Sequence, residues 1–254
     1  MINENFIYIL FSGIMQGLTE FLPISSSGHL ILLNYFFNKH INNLDFEILL
    51  HFGTVFSIVF YYRKDLLNII KKIFFYKDFR ILLLIILGCI PISLVGLFGK
   101  QYISIHLNNI SILPYTFMFT AFFLFMTKYQ YGNKKITFKI ILIMSLFQIL
   151  ALLPGISRSG ITISILLMLG ISIKHAVRFS FLMAIPLILG ATLITVDFTN
   201  YNYSSIQYML LGAFVSFLFG WIAIYLTNYF LLNKRYWVFS IYCFTISIIS
   251  YFIV

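Results

Sequence analysis

The stretch PGISRSG at residues 154–160 interrupts a sequence that is otherwise typical of apolar membrane helix, and PISSSGH at residues 23–29 interrupts it earlier. The apolar piece that follows each break, residues 159–169 and 27–37, is only 11 residues long. A helix needs about 20 apolar residues to cross a bilayer. We therefore expect each short piece to pair with the helix before it as a re-entrant hairpin. Irregular backbone at that depth persists only where protein or a water-filled cavity satisfies its polar groups.

The composition supports a location in the membrane. The chain has 254 residues, of which 61% are hydrophobic and 9% charged, and its mean hydropathy is +0.98. Soluble domains carry roughly 25% charged residues. The formal net charge of +10 therefore indicates basic loops on one side of a membrane rather than a nucleic-acid partner. Cys89 and Cys243 fall in apolar runs, so we predict neither a disulfide nor a thiolate metal site.

Apolar runs divide the chain into ten predicted helical segments within a single membrane domain, residues 1–254. Six are predicted to cross the membrane and four to form the two hairpins, which makes the fold class an all-α polytopic membrane protein. The segment 63–80 is interpreted as a loop. The predicted helices are 5–20, 27–37, 46–62, 81–98, 112–127, 137–152, 159–169, 178–196, 206–230 and 236–254.

The two hairpins resemble copies of one unit. A shift of 132 residues places Gln16 on Gln148 and brings three residues of the first break onto the second. Those three pairs are Ser25 with Ser157, Ser27 with Ser159, and Gly28 with Gly160. Because three predicted spans separate the hairpins, the second copy would be upside down. The prediction is an inverted-topology repeat, with repeat 1 at residues 1–130 and repeat 2 at 131–254.

The basic residues indicate the orientation. Of the 17 Lys and Arg residues, 14 fall in segments 63–80, 128–139, 170–178 and 231–235. Alternating spans place these four segments on one side, which the positive-inside rule makes cytoplasmic. Both termini are then predicted on the outer side.

Glu20 and Arg158 are the ionisable residues that the breaks place inside the membrane. Burying such a group costs at least ~2.5–3.5 kcal/mol, so a functional role is the first hypothesis. A purely structural ion pair between the hairpins is the alternative. Both short helices also begin with hydroxyl side chains, and helix N-termini favour anions. These hydroxyl side chains are Ser25, Ser26, Ser27, Ser157 and Ser159.

Arginine's planar fork suits phosphate oxygens. The breaks therefore predict a phosphate or carboxylate site. Thr162, one turn after Arg158, either adds a hydroxyl to that site or bonds back to its own helix. His29 shares a helical face with Ser25 and Ser26, and either accepts a serine proton or attacks phosphorus itself. A histidine that only bonds a backbone carbonyl is the alternative.

Gln16 and Glu20 lie four residues apart on one helical face. Their side-chain oxygens could bind a divalent cation, Mg²⁺ or Ca²⁺, together with substrate phosphates. His51 lies one turn into the third predicted helix. A place in the lining of the same pocket is one interpretation, and a position outside the pocket is the alternative. Ser26 is preferred over His29 as nucleophile, because the 132-residue shift places Ser26 on Arg158 and both then lie near the pseudo-two-fold axis.

The sequence resembles the bacterial undecaprenyl-diphosphate phosphatases, the membrane phosphatases associated with bacitracin resistance. QGLTEFLPISSSGH at residues 16–29 is similar to their first motif, and LALLPGISRSGITI at 150–163 to their second. The similarity continues through FEILLHFGT at 46–54 and FSFLMAIPLILGA at 179–191. It covers nearly the whole chain.

The resemblance implies that the protein removes the terminal phosphate of a polyprenyl diphosphate in the bacterial cytoplasmic (inner) membrane. This reaction recycles the lipid carrier for peptidoglycan synthesis. Many members of the family have glutamate at the position of Gln16, so glutamine halves the acidic charge of the expected metal site in this chain. The oligomeric state, including a homodimer, stays open. The catalytic set that the resemblance implies is Gln16, Glu20, Ser26, His29, Ser157, Arg158, Ser159 and Thr162.

The alternative function is a transporter or flippase of an anionic polyprenyl phosphate lipid, because inverted repeats with broken helices are typical of transporters. Phosphate release in detergent would distinguish the two, since hydrolysis needs no second compartment.

Overall fold

The computed structural model describes residues 4–38, 44–99, 110–129, 132–195 and 203–253. These residues form eleven α-helices and, apart from an isolated bridge between Lys134 and Ile171, include no strand. The helices are α1 (Glu4–Phe21), α2 (Ser26–Phe36), α3 (Leu44–Tyr61), α4 (Arg63–Tyr76), α5 (Arg80–Phe98), α6 (Leu113–Phe125), α7 (Phe138–Gln148), α8 (Arg158–Met168), α9 (Ile173–Thr195), α10 (Tyr203–Leu232) and α11 (Phe239–Ile253).

Five helical stretches in the described part of the chain are long and apolar enough to cross a membrane. They are Arg80–Phe98, Ile110–Tyr129, Ile173–Ile194, Ile206–Leu232 and Tyr236–Ile253. Four shorter apolar stretches accompany them: Phe6–Phe21, Phe46–Tyr61, Phe138–Leu152 and Arg158–Met168. The expectation of an all-α, multi-pass membrane protein is confirmed. The extreme ends of the chain, residues 1–3 and 254, lie outside the described residues.

One segment departs from the sequence-based expectation. Residues 63–76 were expected to form a loop and instead form α4, a helix with no buried residue. Its basic residues mark a loop by composition, but its apolar residues recur at helical spacing, so one face can pack while the other carries charge.

The most extensive helix–helix contacts join helices of one half of the chain to helices of the other half. α1 and α3 pack along α10, while α5 packs against α7 and α9. α3 also packs against α9, and α6 against α11. Close approach of α1 to α10 depends on small residues, because a side chain at Gly17 would meet the Ser216 carbonyl oxygen at 2.6 Å. Small residues at helix interfaces are typical of membrane proteins.

The two breaks produce short helices with matching starts. α2 and α8 each have 11 residues. The Ser25 hydroxyl oxygen accepts a hydrogen bond from the Gly28 amide at 3.4 Å, and the Ser157 oxygen accepts one from the Gly160 amide at 3.0 Å. Serine is a favoured N-cap because its oxygen satisfies an amide that lacks a partner in the helix. Each cap therefore begins a helix directly at its break.

Candidate active site

The two breaks lie against each other in the interior of the described protein, where serines of both breaks are buried. The Gly155 amide donates to the Ser25 hydroxyl oxygen at 3.1 Å, across 130 positions of sequence. The Ser159 hydroxyl donates to the Glu20 carbonyl oxygen at 3.4 Å. A side chain at Gly28 would lie 2.9 Å from the Gly155 α-carbon, so the two turns are in direct contact. The starts of α2 and α8 therefore share one buried region.

α6 fixes the second turn from the side. The Thr120 hydroxyl donates to the Gly155 carbonyl oxygen at 2.9 Å and accepts from the Ser157 amide at 3.1 Å. Gly155 itself has φ +90, a conformation that side-chain-bearing residues rarely adopt. One threonine thus satisfies two polar groups of an irregular turn that would otherwise be costly to bury.

Glu20 is the centre of the polar cluster. One carboxylate oxygen accepts from the Arg158 guanidinium at 2.6 Å. The other accepts from the Ser26 hydroxyl at 2.7 Å and from the Gln16 amide nitrogen at 3.1 Å. The Glu20 side chain is only 7% exposed, so these donors replace water around a buried charge. The ion pair expected as the structural alternative is present, and a serine hydroxyl lies on the same carboxylate.

Arg158 contacts residues of both halves of the chain and has more N–H groups than these contacts use. One terminal nitrogen binds Glu20, and the other donates to the Ser180 carbonyl oxygen at 3.3 Å. Guanidinium has five N–H groups, and within the described residues these contacts use two of them. Its side chain is 15% exposed. The arginine can therefore bind an anion without giving up all of its protein contacts.

The other predicted hydroxyls surround this pair. The Ser157 and Ser159 hydroxyl oxygens are 3.3 Å apart, and those of Ser25 and Ser27 are 3.4 Å apart. Thr162 bonds back to the Arg158 carbonyl oxygen at 2.9 Å, as the alternative interpretation expected. Its hydroxyl is also 2.6 Å from the Ser180 hydroxyl.

His29 faces away from the Glu20 carboxylate. Its Nδ1 lies 2.7 Å from the Ser25 carbonyl oxygen, and its Nε2 lies 2.8 Å from the Tyr242 hydroxyl. A carbonyl oxygen can only accept, so Nδ1 carries the proton and Nε2 accepts from Tyr242. The two rings also stack, with centroids 5.7 Å apart. Both ring nitrogens are thus engaged away from Ser26, which matches the backbone-bonded alternative, while the catalytic role of His29 stays a prediction.

The chain matches the sequence model of the family described as "Bacitracin resistance protein BacA" over residues 9–249. The chain belongs to this family. It is similar to proteins named undecaprenyl-diphosphatase from Thermosipho africanus, 37% identical over 95% of this chain and 97% of that protein, and from Carboxydothermus hydrogenoformans, 39% identical over 85% and 84%. A protein of the same name from Pelagibacter ubique is 35% identical over 99% of this chain and 98% of its own length.

Gln16 is the second predicted metal ligand in this BacA-family site. It is fully buried; its amide nitrogen faces Glu20, and its amide oxygen has no hydrogen-bond partner among the described residues. The described part of the chain contains no group of three or more His, Cys, Asp or Glu residues that could hold a metal. One carboxylate and one free amide oxygen fit a divalent ion only if substrate phosphates supply most of its ligands.

Three further residues belong to this cluster. Sequence reasoning left the role of His51 open and did not identify Ser180 or Tyr242. His51 Nε2 lies 3.5 Å from the Glu20 carboxylate, while its Nδ1 donates to the Glu47 carbonyl oxygen at 2.8 Å. His51 thus lines the site. Ser180 contacts both Arg158 and Thr162, and Tyr242 binds His29. Ser180 lies within a stretch that carries the family resemblance, which was the only available signal, whereas Tyr242 is 213 positions from its partner.

Proposed function

We propose that this chain is an integral-membrane undecaprenyl-diphosphatase that hydrolyses undecaprenyl diphosphate to undecaprenyl phosphate and inorganic phosphate. The observation that carries the proposal is the contact of Ser26 and Arg158 with the same buried Glu20 carboxylate. The Ser26 hydroxyl, the Glu20 carboxylate as a base and the Arg158 guanidinium as a phosphate-binding group therefore lie together at the N-termini of α2 and α8. Membership of the BacA family and the names of the relatives support the same substrate.

The Ser26 hydroxyl attacks the terminal phosphorus of the diphosphate. Its proton passes to the Glu20 oxygen that it already contacts at 2.7 Å. The bond between the terminal phosphorus and the bridging oxygen breaks, and undecaprenyl phosphate leaves with the bond's electron pair. Water then attacks the serine phosphate, Ser26 recovers a proton, and inorganic phosphate is released. Splitting the reaction into two displacements is the usual benefit of a protein nucleophile.

Arg158 stabilises the phosphoryl oxygens during both displacements. In the free protein its charge is balanced by Glu20. When the diphosphate enters, its oxygens compete with Glu20 for the guanidinium. Weaker pairing with Arg158 makes the carboxylate a stronger base toward Ser26, which contacts its other oxygen. Such positioning of positive charge is the main catalytic contribution in phosphoryl transfer. The hydroxyls and helix starts at Ser25, Ser27, Ser157 and Ser159 supply further donors to phosphate.

A divalent cation, Mg²⁺ or Ca²⁺, is part of the proposal. Glu20 and the buried Gln16 amide oxygen would hold it together with the diphosphate. When bound, it would neutralise charge on the phosphate oxygens. The remaining chemistry described here is carried by the protein's own side chains.

The proposed membrane arrangement has six crossing helices and two re-entrant hairpins, α1 with α2 and α7 with α8, in two inverted repeats. The exchanged packing supports it: α1 lies on α10, while its counterpart α7 lies on α5. The basic segments are assigned to the cytoplasmic side of the bacterial inner membrane and both termini to the outer side.

The deciding experiment measures phosphate release from undecaprenyl diphosphate by the purified protein in detergent. We expect turnover that Ser26→Ala lowers by at least ~1,000-fold, as loss of a nucleophile does. Ser145→Ala is the matched control, since this buried serine bonds only to its own helix at Leu142 in the described contacts. Absence of release by the unaltered protein, with transfer of polyprenyl phosphate across vesicles, would instead establish a transporter.

A further inference from the structure

α4 carries an apolar stripe that no part of the described protein covers. Leu67, Ile70 and Phe74 are 55%, 49% and 76% exposed. Their spacing of three and four residues places them on one side of the helix. A 14-residue helix is too short to cross a bilayer, so this stripe cannot be the lipid-facing side of a spanning segment.

Apolar residues beside the exposed stripe pack α4 against the helix bundle. Leu66 and Ile69 are partly buried and pack against the main hydrophobic core. The Asp65 carboxylate also pairs with Arg178 of α9 at 2.8 Å. These contacts set the rotation of α4 about its axis, so Leu67, Ile70 and Phe74 are held outward by the fold.

The polar side of α4 is strongly basic. The helix and its flanks contain two acidic residues, of which Asp65 is paired with Arg178 and Asp78 accepts from the Arg80 backbone amide at 3.1 Å. Six basic residues accompany them: Arg63, Lys64, Lys71, Lys72, Lys77 and Arg80. An exposed apolar stripe beside excess positive charge is the chemistry of helices that lie in an anionic lipid surface.

The connections of α4 hold it at such a surface. Tyr62 alone separates it from α3, and residues 77–79 alone separate it from α5, which is long and apolar enough to cross the membrane. Neither link is long enough to let the helix move away from the headgroup layer. A soluble partner could therefore bind the stripe only by displacing the lipid surface next to α4.

We propose that α4 lies flat in the headgroup layer of the membrane, on the side that carries the basic segments, and binds anionic phospholipids. Leu67, Ile70 and Phe74 enter the outer part of the acyl chains, while the lysines contact lipid phosphates. This inference does not depend on the proposed phosphatase activity.

Tryptophan quenching by lipid tests the immersion of the stripe. Full-length Phe74→Trp and Lys72→Trp variants would be placed in nanodiscs containing phosphatidylglycerol brominated in the upper acyl chain. The signal of the native Trp221 and Trp237 is subtracted with the unaltered protein. We expect Phe74→Trp to be quenched at least ~2-fold more than Lys72→Trp, which lies on the polar face. Equal quenching of the two variants overturns the proposal. This result is expected if the stripe binds a soluble acidic protein instead of lipid.

Energy transfer tests the lipid charge. Transfer from Phe74→Trp to dansyl-labelled phosphatidylglycerol is expected to exceed transfer to dansyl-labelled phosphatidylcholine by ~2-fold or more in mixed nanodiscs. Adding Lys64→Gln, Lys71→Gln and Lys72→Gln should remove the excess while quenching by brominated lipid remains. Equal transfer to both lipids in the Phe74→Trp protein overturns the selectivity for anionic lipid.

Discussion

At the scale of single residues, one carboxylate organises the site. Glu20 contacts Ser26, Arg158 and Gln16 at hydrogen-bond distance. A buried carboxylate with three donors is stable in place, yet each donor is also a group that a phosphate could recruit. The resting contacts and the proposed catalytic contacts are therefore alternatives for the same atoms.

Arg158→Lys should lower turnover by at least ~100-fold while the protein still inserts into the membrane. Lysine keeps the charge but cannot present two parallel N–H groups to phosphate. Phosphate release by purified variants measures the effect. Arg178→Lys, which alters a half-exposed surface pair with Asp65, is the control and should retain nearly full activity. Wild-type turnover of Arg158→Lys would rule out bidentate phosphate binding.

Tyr242→Phe should destabilise the protein more than it slows the reaction. Removing the hydroxyl leaves the buried Nε2 of His29 without a donor, which costs about 1–3 kcal/mol. Thermal unfolding in detergent and phosphate release are both measured, with the exposed Tyr251→Phe as the control. A tenfold loss of turnover at unchanged stability would indicate that His29 acts in the chemistry.

Gln16→Glu should strengthen divalent-ion binding by roughly tenfold, because a carboxylate is a better ligand for Mg²⁺ than an amide. Calorimetric titration with Mg²⁺ in the presence of a non-hydrolysable polyprenyl methylene-bisphosphonate, which supplies the phosphate ligands, measures this independently of turnover. A chelator should abolish phosphate release by the unaltered protein. Unchanged Mg²⁺ affinity in Gln16→Glu would remove this residue from the proposed ligand set.

At the scale of elements, the two breaks were predictable and their partners were not. Pro23 and Pro154 interrupt apolar runs that are too short to cross, so local sequence is enough to predict α2 and α8. Tyr242 meets His29 only through the packing of α11, which no local pattern encodes. α4 shows a different failure, because its charge favoured a loop although its apolar spacing is helical.

Gly155→Ala should abolish activity and destabilise the fold by several kcal/mol. Its φ of +90 strains any side chain, and a β-carbon there would collide with the Thr116 hydroxyl. Gly190→Ala provides the matched comparison, since a β-carbon at that position has no neighbour within 4 Å among the described residues. Stability and phosphate release are measured on both variants. Normal behaviour of Gly155→Ala would mean that the second turn is not rigid.

At the scale of the whole molecule, the halves exchange partners rather than packing as separate units. The sequence repeat predicted a relation between the hairpins, and the charge pattern predicted which segments share a side. The contact of α1 with α10 depends on the close fit of Gly13 and Gly17, which a single sequence does not reveal.

Labelling in intact cells tests the proposed sidedness. Phe98→Cys at the end of α5 should react with an impermeant maleimide, whereas Lys135→Cys should react only after the membrane is opened. Both positions are exposed in the structure, whereas the native Cys243 is fully buried and Cys89 is partly buried. The unaltered protein measures any background labelling of these two cysteines. Reaction of Lys135→Cys from outside would reverse the orientation.

Ser26 and Arg158 occupy equivalent positions in the two related stretches, 132 residues apart. An assembly of two identical halves would therefore carry a pair of serines or a pair of arginines there, and never one of each. A duplicated ancestor could acquire this chemistry only after its copies had ceased to be interchangeable. The proposed reaction thus requires the symmetry of the predicted repeat to be broken at its own axis.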